Sequence, residues 1–67
     1  MFTLFTQSVK NGPSLLETVK NETVAFKRAM YHARTHGQVF VQHNTGKVER
    51  VNAKGDYVIV INPDWEG

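Results

Sequence analysis

Residues 21–37 have the periodicity of a single helix, and they constrain the fold more than any other part of the sequence. Asn21 is a good N-cap, and Gly37 is the residue type expected directly after a last turn. At 3.6 residues per turn, one stripe of this helix is apolar and predicted to face the core. Its members are Ala25, Phe26, Ala29, Met30 and Ala33. The pattern predicts a helix that buries Phe26 as an aromatic core residue.

The chain has 67 residues, which is enough for a single domain, 1–67, with a small core. It contains no cysteine, so no disulfide can stabilise it. Its longest apolar run, 58–61, is far shorter than the roughly 20 residues that cross a bilayer, and its first residues do not have the pattern of a signal peptide. We therefore expect a cytoplasmic protein with no membrane partner, and a homodimer is one way to cover surplus apolar surface.

Short segments rich in aromatic and β-branched residues flank the helix and predict five strands. The predicted strands are 2–7, 15–20, 38–43, 47–51 and 57–61. The short connections between them require antiparallel neighbours. The sequence therefore predicts an α+β fold of order β-β-α-β-β-β, with a single helix packed on one face of a twisted antiparallel sheet.

Residues 14–20 allow a second interpretation. Ser14 and Glu17 have the spacing of a capping box, and Leu15 and Val19 would continue the apolar stripe of the helix. That pattern favours one longer helix over 14–36 and the order β-α-β-β-β. Asn21 would then lie in the middle of the helix, where it is unfavourable. We favour the strand and keep the longer helix as the alternative.

The charges and one aromatic residue indicate a binding surface. Eight Lys and Arg against six Asp and Glu give a net charge of +2, and all eight cations lie within residues 10–54. Val24 and Tyr31, seven residues apart, share the outer side of the helix with three cations. An aromatic ring among cations, on a surface that the core does not need, is typical of a protein-binding face. The candidate partner-binding residues on the helix and the following hairpin are Val24, Lys27, Arg28, Tyr31, Arg34, Lys47, Arg50 and Lys54.

Apolar residues occur on both sides of the predicted central strands. Val39 and Val41 alternate with Phe40, and the last strand is apolar at every position. One helix covers one face of a sheet, so the sequence leaves open whether the second face is an interface.

No group of residues indicates catalysis. His32 and His36 are four apart on the helix and His43 follows on a strand, but no thiolate or HExxH glutamate accompanies them. No serine has a plausible base and acid partner, and the glycines do not form a phosphate-binding loop. We therefore expect no enzyme activity, no cofactor and no resident metal, and keep a metal site at the three histidines as a second alternative function.

The compressed order of hairpin, Asn-capped helix and three-strand meander resembles small phage and mobile-element proteins that inhibit host machinery, including some anti-CRISPR inhibitors. The resemblance is carried by NETVA at 21–25, followed by Ala29, and by GQVFV at 37–41. It is one of architecture, so no functional residue can be transferred. It implies a non-enzymatic inhibitor or adaptor that binds a host protein of the nucleic-acid machinery. The first alternative is direct nucleic-acid binding through the same cations.

Overall fold

The computed structural model describes residues 1–8 and 10–64 and confirms the predicted α+β fold. A single helix packs on one face of a five-stranded antiparallel sheet. The elements are β1 (Phe2–Ser8), β2 (Gly12–Val19), α1 (Glu22–His36), β3 (Gln38–Gln42), β4 (Val48–Asn52) and β5 (Tyr57–Ile61). Over the described ranges, no helix has the length and apolar character needed to cross a membrane.

The strands are ordered β2-β1-β3-β4-β5, so β1 and β3 are neighbours although α1 separates them in sequence. The helix carries the chain from β2 back across the sheet, and β3 then pairs with the free side of β1. Leu4 on β1 lies opposite Val41 on β3, and Val41 lies opposite Glu49 on β4. These three residues therefore share the face of the sheet that α1 covers, while β2 and β5 are the two edges.

The region 14–19 is a strand, so the alternative of one longer helix is wrong. Ser14 lies opposite Thr6, and Glu17 lies opposite Leu4, which gives β1 a full-length antiparallel neighbour. A helix over the same residues would have left that side of β1 unpaired. β2 begins at Gly12, earlier than the sequence predicts, because Pro13 is tolerated in an edge strand.

Both ends of α1 are capped as the sequence predicts. The Asn21 side chain accepts a hydrogen bond from the backbone N–H of Val24 at 3.2 Å. At the other end Gly37 has φ +86°, and its N–H donates to the carbonyl of Ala33 at 2.7 Å. A residue with a Cβ is strained at that φ, so glycine is the residue that ends the helix here at least cost.

The core lies between α1 and β1, β3 and β4. Its largest fully buried side chains are Leu4, Val39, Val41 and Val51, and α1 contributes the buried alanines Ala25, Ala29 and Ala33. Small alanine side chains let the helix backbone lie close to the sheet. The expectation that Phe26 is a buried aromatic core residue is wrong. Phe26 is half-buried at the side of the core, with its ring 5.5 Å from that of Tyr57.

Candidate interaction surface

The outer side of α1 exposes two large apolar side chains. Tyr31 is 58% exposed and Val24 is 45% exposed, whereas the alanines on the opposite side of the helix are buried. The helix therefore has the orientation that the sequence periodicity predicts. Lys27 and Arg34 are exposed on the same helix. The outer side of α1 thus combines apolar, aromatic and cationic groups, and we call Val24, Lys27, Arg28, Tyr31 and Arg34 the outer helix face.

Arg28 is held in place by two neighbours. Its Nε donates to Glu17 Oε2 at 2.8 Å, and its guanidinium carbon lies 5.0 Å from the centre of the Tyr31 ring. The carboxylate fixes the guanidinium, and the ring covers one side of it through a cation–π contact. Because the Arg28 side chain is still 44% exposed, this arrangement presents an ordered cation beside an ordered aromatic ring. An interface formed here would lose little side-chain entropy on binding.

Glu17 connects the edge strand β2 to the helix. Its Oε2 also contacts Nε2 of His32 at 2.5 Å, and the His32 ring meets the Tyr31 ring edge-on at 5.5 Å. The hydrogen bond with His32 is the largest cause that lowers the pKa of the Glu17 carboxyl below its ordinary value, and the hydrogen bond and charge of Arg28 add to it. Partial burial acts in the opposite direction. The carboxylate therefore stabilises the folded state in its charged form.

Glu17→Gln is expected to reduce the dependence of stability on pH. Because the Glu17 pKa is lowered in the folded protein, its contribution is present above the pKa of the unfolded chain. That contribution is lost as the pH falls through the lower, folded value. Urea unfolding between about pH 3 and pH 7 measures the free energy of unfolding of both proteins as a function of pH. The wild type should lose more stability on acidification than Glu17→Gln does. If the stability of the two proteins falls equally with pH, the contacts of Glu17 with His32 and Arg28 do not stabilise the fold.

The three hairpin cations do not extend the outer helix face. Arg50 lies on the sheet face away from α1, because its neighbours Glu49 and Val51 are both buried on the helix side. Lys47 precedes β4, with its Nζ 4.0 Å from Glu49 Oε1. Lys54 lies in the turn between β4 and β5. Of the eight predicted residues, the structure brings together the five on α1 and places the other three elsewhere.

Two of the three histidines contact carboxylates rather than one another. His32 binds Glu17, His43 Nε2 contacts Glu49 Oε1, and His36 is exposed in the last turn of α1. Across residues 1–8 and 10–64, no three His, Cys, Asp or Glu side chains are grouped so that they could hold a metal ion. The described residues therefore do not form the three-histidine metal site that the sequence leaves open.

Glu49 is the feature that sequence reasoning missed most completely. It is 4% exposed, and among the described residues it is the charged side chain that lies buried. Its Oε1 contacts Nε2 of His43, and the Lys47 ammonium group lies 4.0 Å from the same oxygen. In sequence, Glu49 and Arg50 look like a pair of solvated charges between Val48 and Val51. Only the register of β4 determines which of the two turns inward.

The sheet face away from α1 carries a second apolar area. The rings of Phe5 and Phe40 stack on neighbouring strands with 5.3 Å between their centres, and Leu15 on β2 is 67% exposed. A shallow groove of about 420 Å³ runs beside them, lined by Thr3, Phe5, Gln7, Pro13, Leu15 and Gln42. Arg50 lies opposite Phe40 on this face, but among the described residues it makes no ion pair or cation–π contact of the kind that positions Arg28.

No family model, curated protein or solved structure matched the chain.

Proposed function

We propose that the protein is a small non-enzymatic interaction module that binds a partner protein through the outer helix face. The observation that carries the proposal is the ordered contact of Arg28 with the exposed Tyr31 ring, held from below by Glu17. Tyrosine and arginine are the residue types enriched at the energetic centres of protein interfaces. Here both are exposed, and both are held in place before any partner arrives.

The composition of the face specifies the partner's chemistry. Val24 and the Tyr31 ring offer apolar contact, and Lys27 and Arg34 offer positive charge around them. A complementary surface has an apolar depression that accepts the phenol ring and an acidic border that meets the cations. The resemblance to phage and mobile-element inhibitors extends the proposal to a host protein of the nucleic-acid machinery, met in the cytoplasm.

A binding role is also favoured over catalysis by the surroundings of the histidines. His32 and His43 each contact a carboxylate, but in the part of the chain that the structure describes no hydroxyl group is hydrogen-bonded to either ring. A histidine–carboxylate pair without a nucleophile lacks the component that attacks the substrate. The two pairs join strand to helix and strand to loop, which is a structural role.

Direct nucleic-acid binding is less well supported by the placement of the cations. Arg50 lies on the opposite side of the sheet from α1, so the described cations do not form one continuous surface. A surface that follows a phosphate backbone needs its cations on one continuous side. We expect duplex and single-stranded oligonucleotides to bind weakly even at low salt. Tight binding that falls steeply as salt is raised would favour the nucleic-acid alternative.

Tyr31→Ala is expected to leave the fold intact and to weaken the partner strongly. Because the ring is 58% exposed and loses only the contacts with Arg28 and His32, its removal should change the free energy of unfolding by no more than about 1 kcal/mol. Loss of a central aromatic contact should cost about 2 kcal/mol of binding, or roughly 30-fold in Kd. Leu15→Ala is the matched control, because it also truncates an exposed apolar side chain, but on the other side of the molecule.

The measurement is affinity capture from native cell extract with the wild type, Tyr31→Ala and Leu15→Ala immobilised at equal density, followed by quantitative mass spectrometry. A true partner should be retained by the wild type and by Leu15→Ala and depleted on Tyr31→Ala. If the three proteins retain the same set of proteins in the same amounts, the outer helix face is not the binding surface.

A further inference from the structure

The strand β5 is an open edge of the sheet. It pairs with β4 on one side, and on its other side no described residue pairs with it. All five of its residues are apolar or aromatic, and Tyr57, Val58 and Ile61 are each more than half exposed. Native sheets usually protect such an edge with charged side chains or proline. β5 contains neither between Tyr57 and Ile61.

The opposite edge, β2, is protected in several ways. Pro13 removes a backbone donor, Glu17 brings a charge into the strand, and Leu16 is an extra residue relative to β1 that breaks the regular register. β5 has one such irregularity, where Val60 is extra relative to β4. The contrast matters because an assembly that pairs through only one edge stops at two copies, whereas two open edges would give a growing sheet.

α1 also does not extend over β5 on the side of the sheet that it covers. α1 packs over β1 to β4, and β5 lies beyond it, where the Phe26 side chain meets Tyr57. The result is a groove of about 400 Å³ between α1 and β5, with Phe26, Met30, Tyr57 and Ile59 among its lining residues. A strand added beside β5 would extend the floor of this groove and cover apolar surface that α1 does not reach.

We propose that β5 pairs antiparallel with β5 of a second copy of this chain, which joins the two sheets into one of ten strands. A two-fold axis near Ile59 places the beginning of each β5 beside the end of the other. Lys54, just before β5, then lies at the same end of the interface as Asp64 of the second copy. The two-fold axis repeats this arrangement at the other end. The pairing therefore joins apolar strands and brings opposite charges together at both ends, which is what a self-complementary two-fold interface requires.

The test is the molar mass of the protein in solution, measured by sedimentation equilibrium from about 1 µM to about 1 mM. The wild type should approach twice the 7.6 kDa of a single chain. Val58→Lys places two like charges across the paired edges, and it should raise the dimer dissociation constant by about 100-fold. Ile61→Lys is a second variant, at a side chain that is 55% exposed; it replaces the apolar contact with Tyr57 of the second copy, so it should also weaken the dimer.

Two controls make the same change elsewhere. Leu15→Lys adds a lysine to the sheet face away from α1, Val24→Lys adds one to the outer helix face, and both should remain dimeric. A wild type that stays monomeric at about 1 mM would overturn the proposal. So would a dimer that Leu15→Lys disrupts as strongly as Val58→Lys, because the contact would then lie on the sheet face. The experiment needs no partner protein, so its result is independent of the proposed function.

Discussion

Leu4→Ala is expected to cost the protein much of its free energy of unfolding at room temperature. Leu4 is fully buried in β1, between β2 and β3, and it packs in the cluster that joins the sheet to the helix alanines. Truncating a fully buried leucine costs about 2–5 kcal/mol, because transfer energy is lost and a cavity remains. A domain of this length has a total stability of roughly 3–10 kcal/mol, so one such change consumes much of it.

Urea unfolding followed by circular dichroism measures the loss, and Leu15→Ala is the control. The chemical change is the same, but Leu15 is 67% exposed, so its removal should alter the free energy of unfolding by no more than about 0.5 kcal/mol. Equal losses in the two variants would show that Leu4 is not at the centre of the core.

His43→Ala is expected to destabilise the protein by about 3–5 kcal/mol, because it leaves the buried Glu49 carboxylate without its main partner. Glu49 is 4% exposed, and the remaining cation, Lys47, is 4.0 Å from its Oε1. The Phe2 ring, which packs edge-on against the His43 ring at 4.9 Å, loses its contact as well. Removal of the imidazole thus costs both electrostatic and packing energy.

The double variant His43→Leu with Glu49→Leu, compared with His43→Leu alone, isolates the effect of the buried carboxylate, because both proteins carry the same side chain at position 43. Replacing both members of a buried hydrogen-bonded pair by apolar residues is often neutral or stabilising, so the double variant should be clearly more stable than His43→Leu. The measurement is again urea unfolding at neutral pH. A double variant less stable than the single one would mean that the buried charge is not the source of the loss.

Much of the fold could be predicted because its signals are local. Asn21 and Gly37 cap the helix as expected, and the predicted bounds of β5 agree with those observed. The sequence does not indicate the start of β2, because Gly12 and Pro13 are typical turn residues. Only the edge position of β2 explains why they are accepted in a strand. Phe26 lies near the border of the apolar stripe of α1. The stripe does not show how far the sheet extends beneath the helix, so it does not predict that Phe26 is only half-buried.

The candidate site could be predicted only where it depends on which side of α1 a residue occupies. The exposure of Tyr31 follows from its spacing to the buried alanines. The position of Glu17 beneath Arg28 and His32 does not, because it depends on the register that sets Glu17 opposite Leu4. A shift of one residue would turn that carboxylate to the other face of the sheet. The same reasoning applies to Glu49, whose burial is fixed by its pairing with Val41.

The two proposed surfaces are compatible with each other. The outer helix face points away from the sheet, whereas β5 lies at the sheet edge beyond the helix. A dimer joined at β5 would therefore present two outer helix faces at once. If the partner is itself multimeric, such a dimer would bind it more tightly than either face alone, without any new contact.

Site-specific photo-crosslinking tests the binding role of the outer helix face most directly. A photoreactive phenylalanine analogue is placed at position 31 in one protein and at Thr18, an exposed position on β2, in another. Both are irradiated in native cell extract. Binding through the outer helix face predicts that one partner protein is crosslinked from position 31 and not from position 18. Crosslinking of the same proteins from both positions, or from position 18 alone, would contradict it.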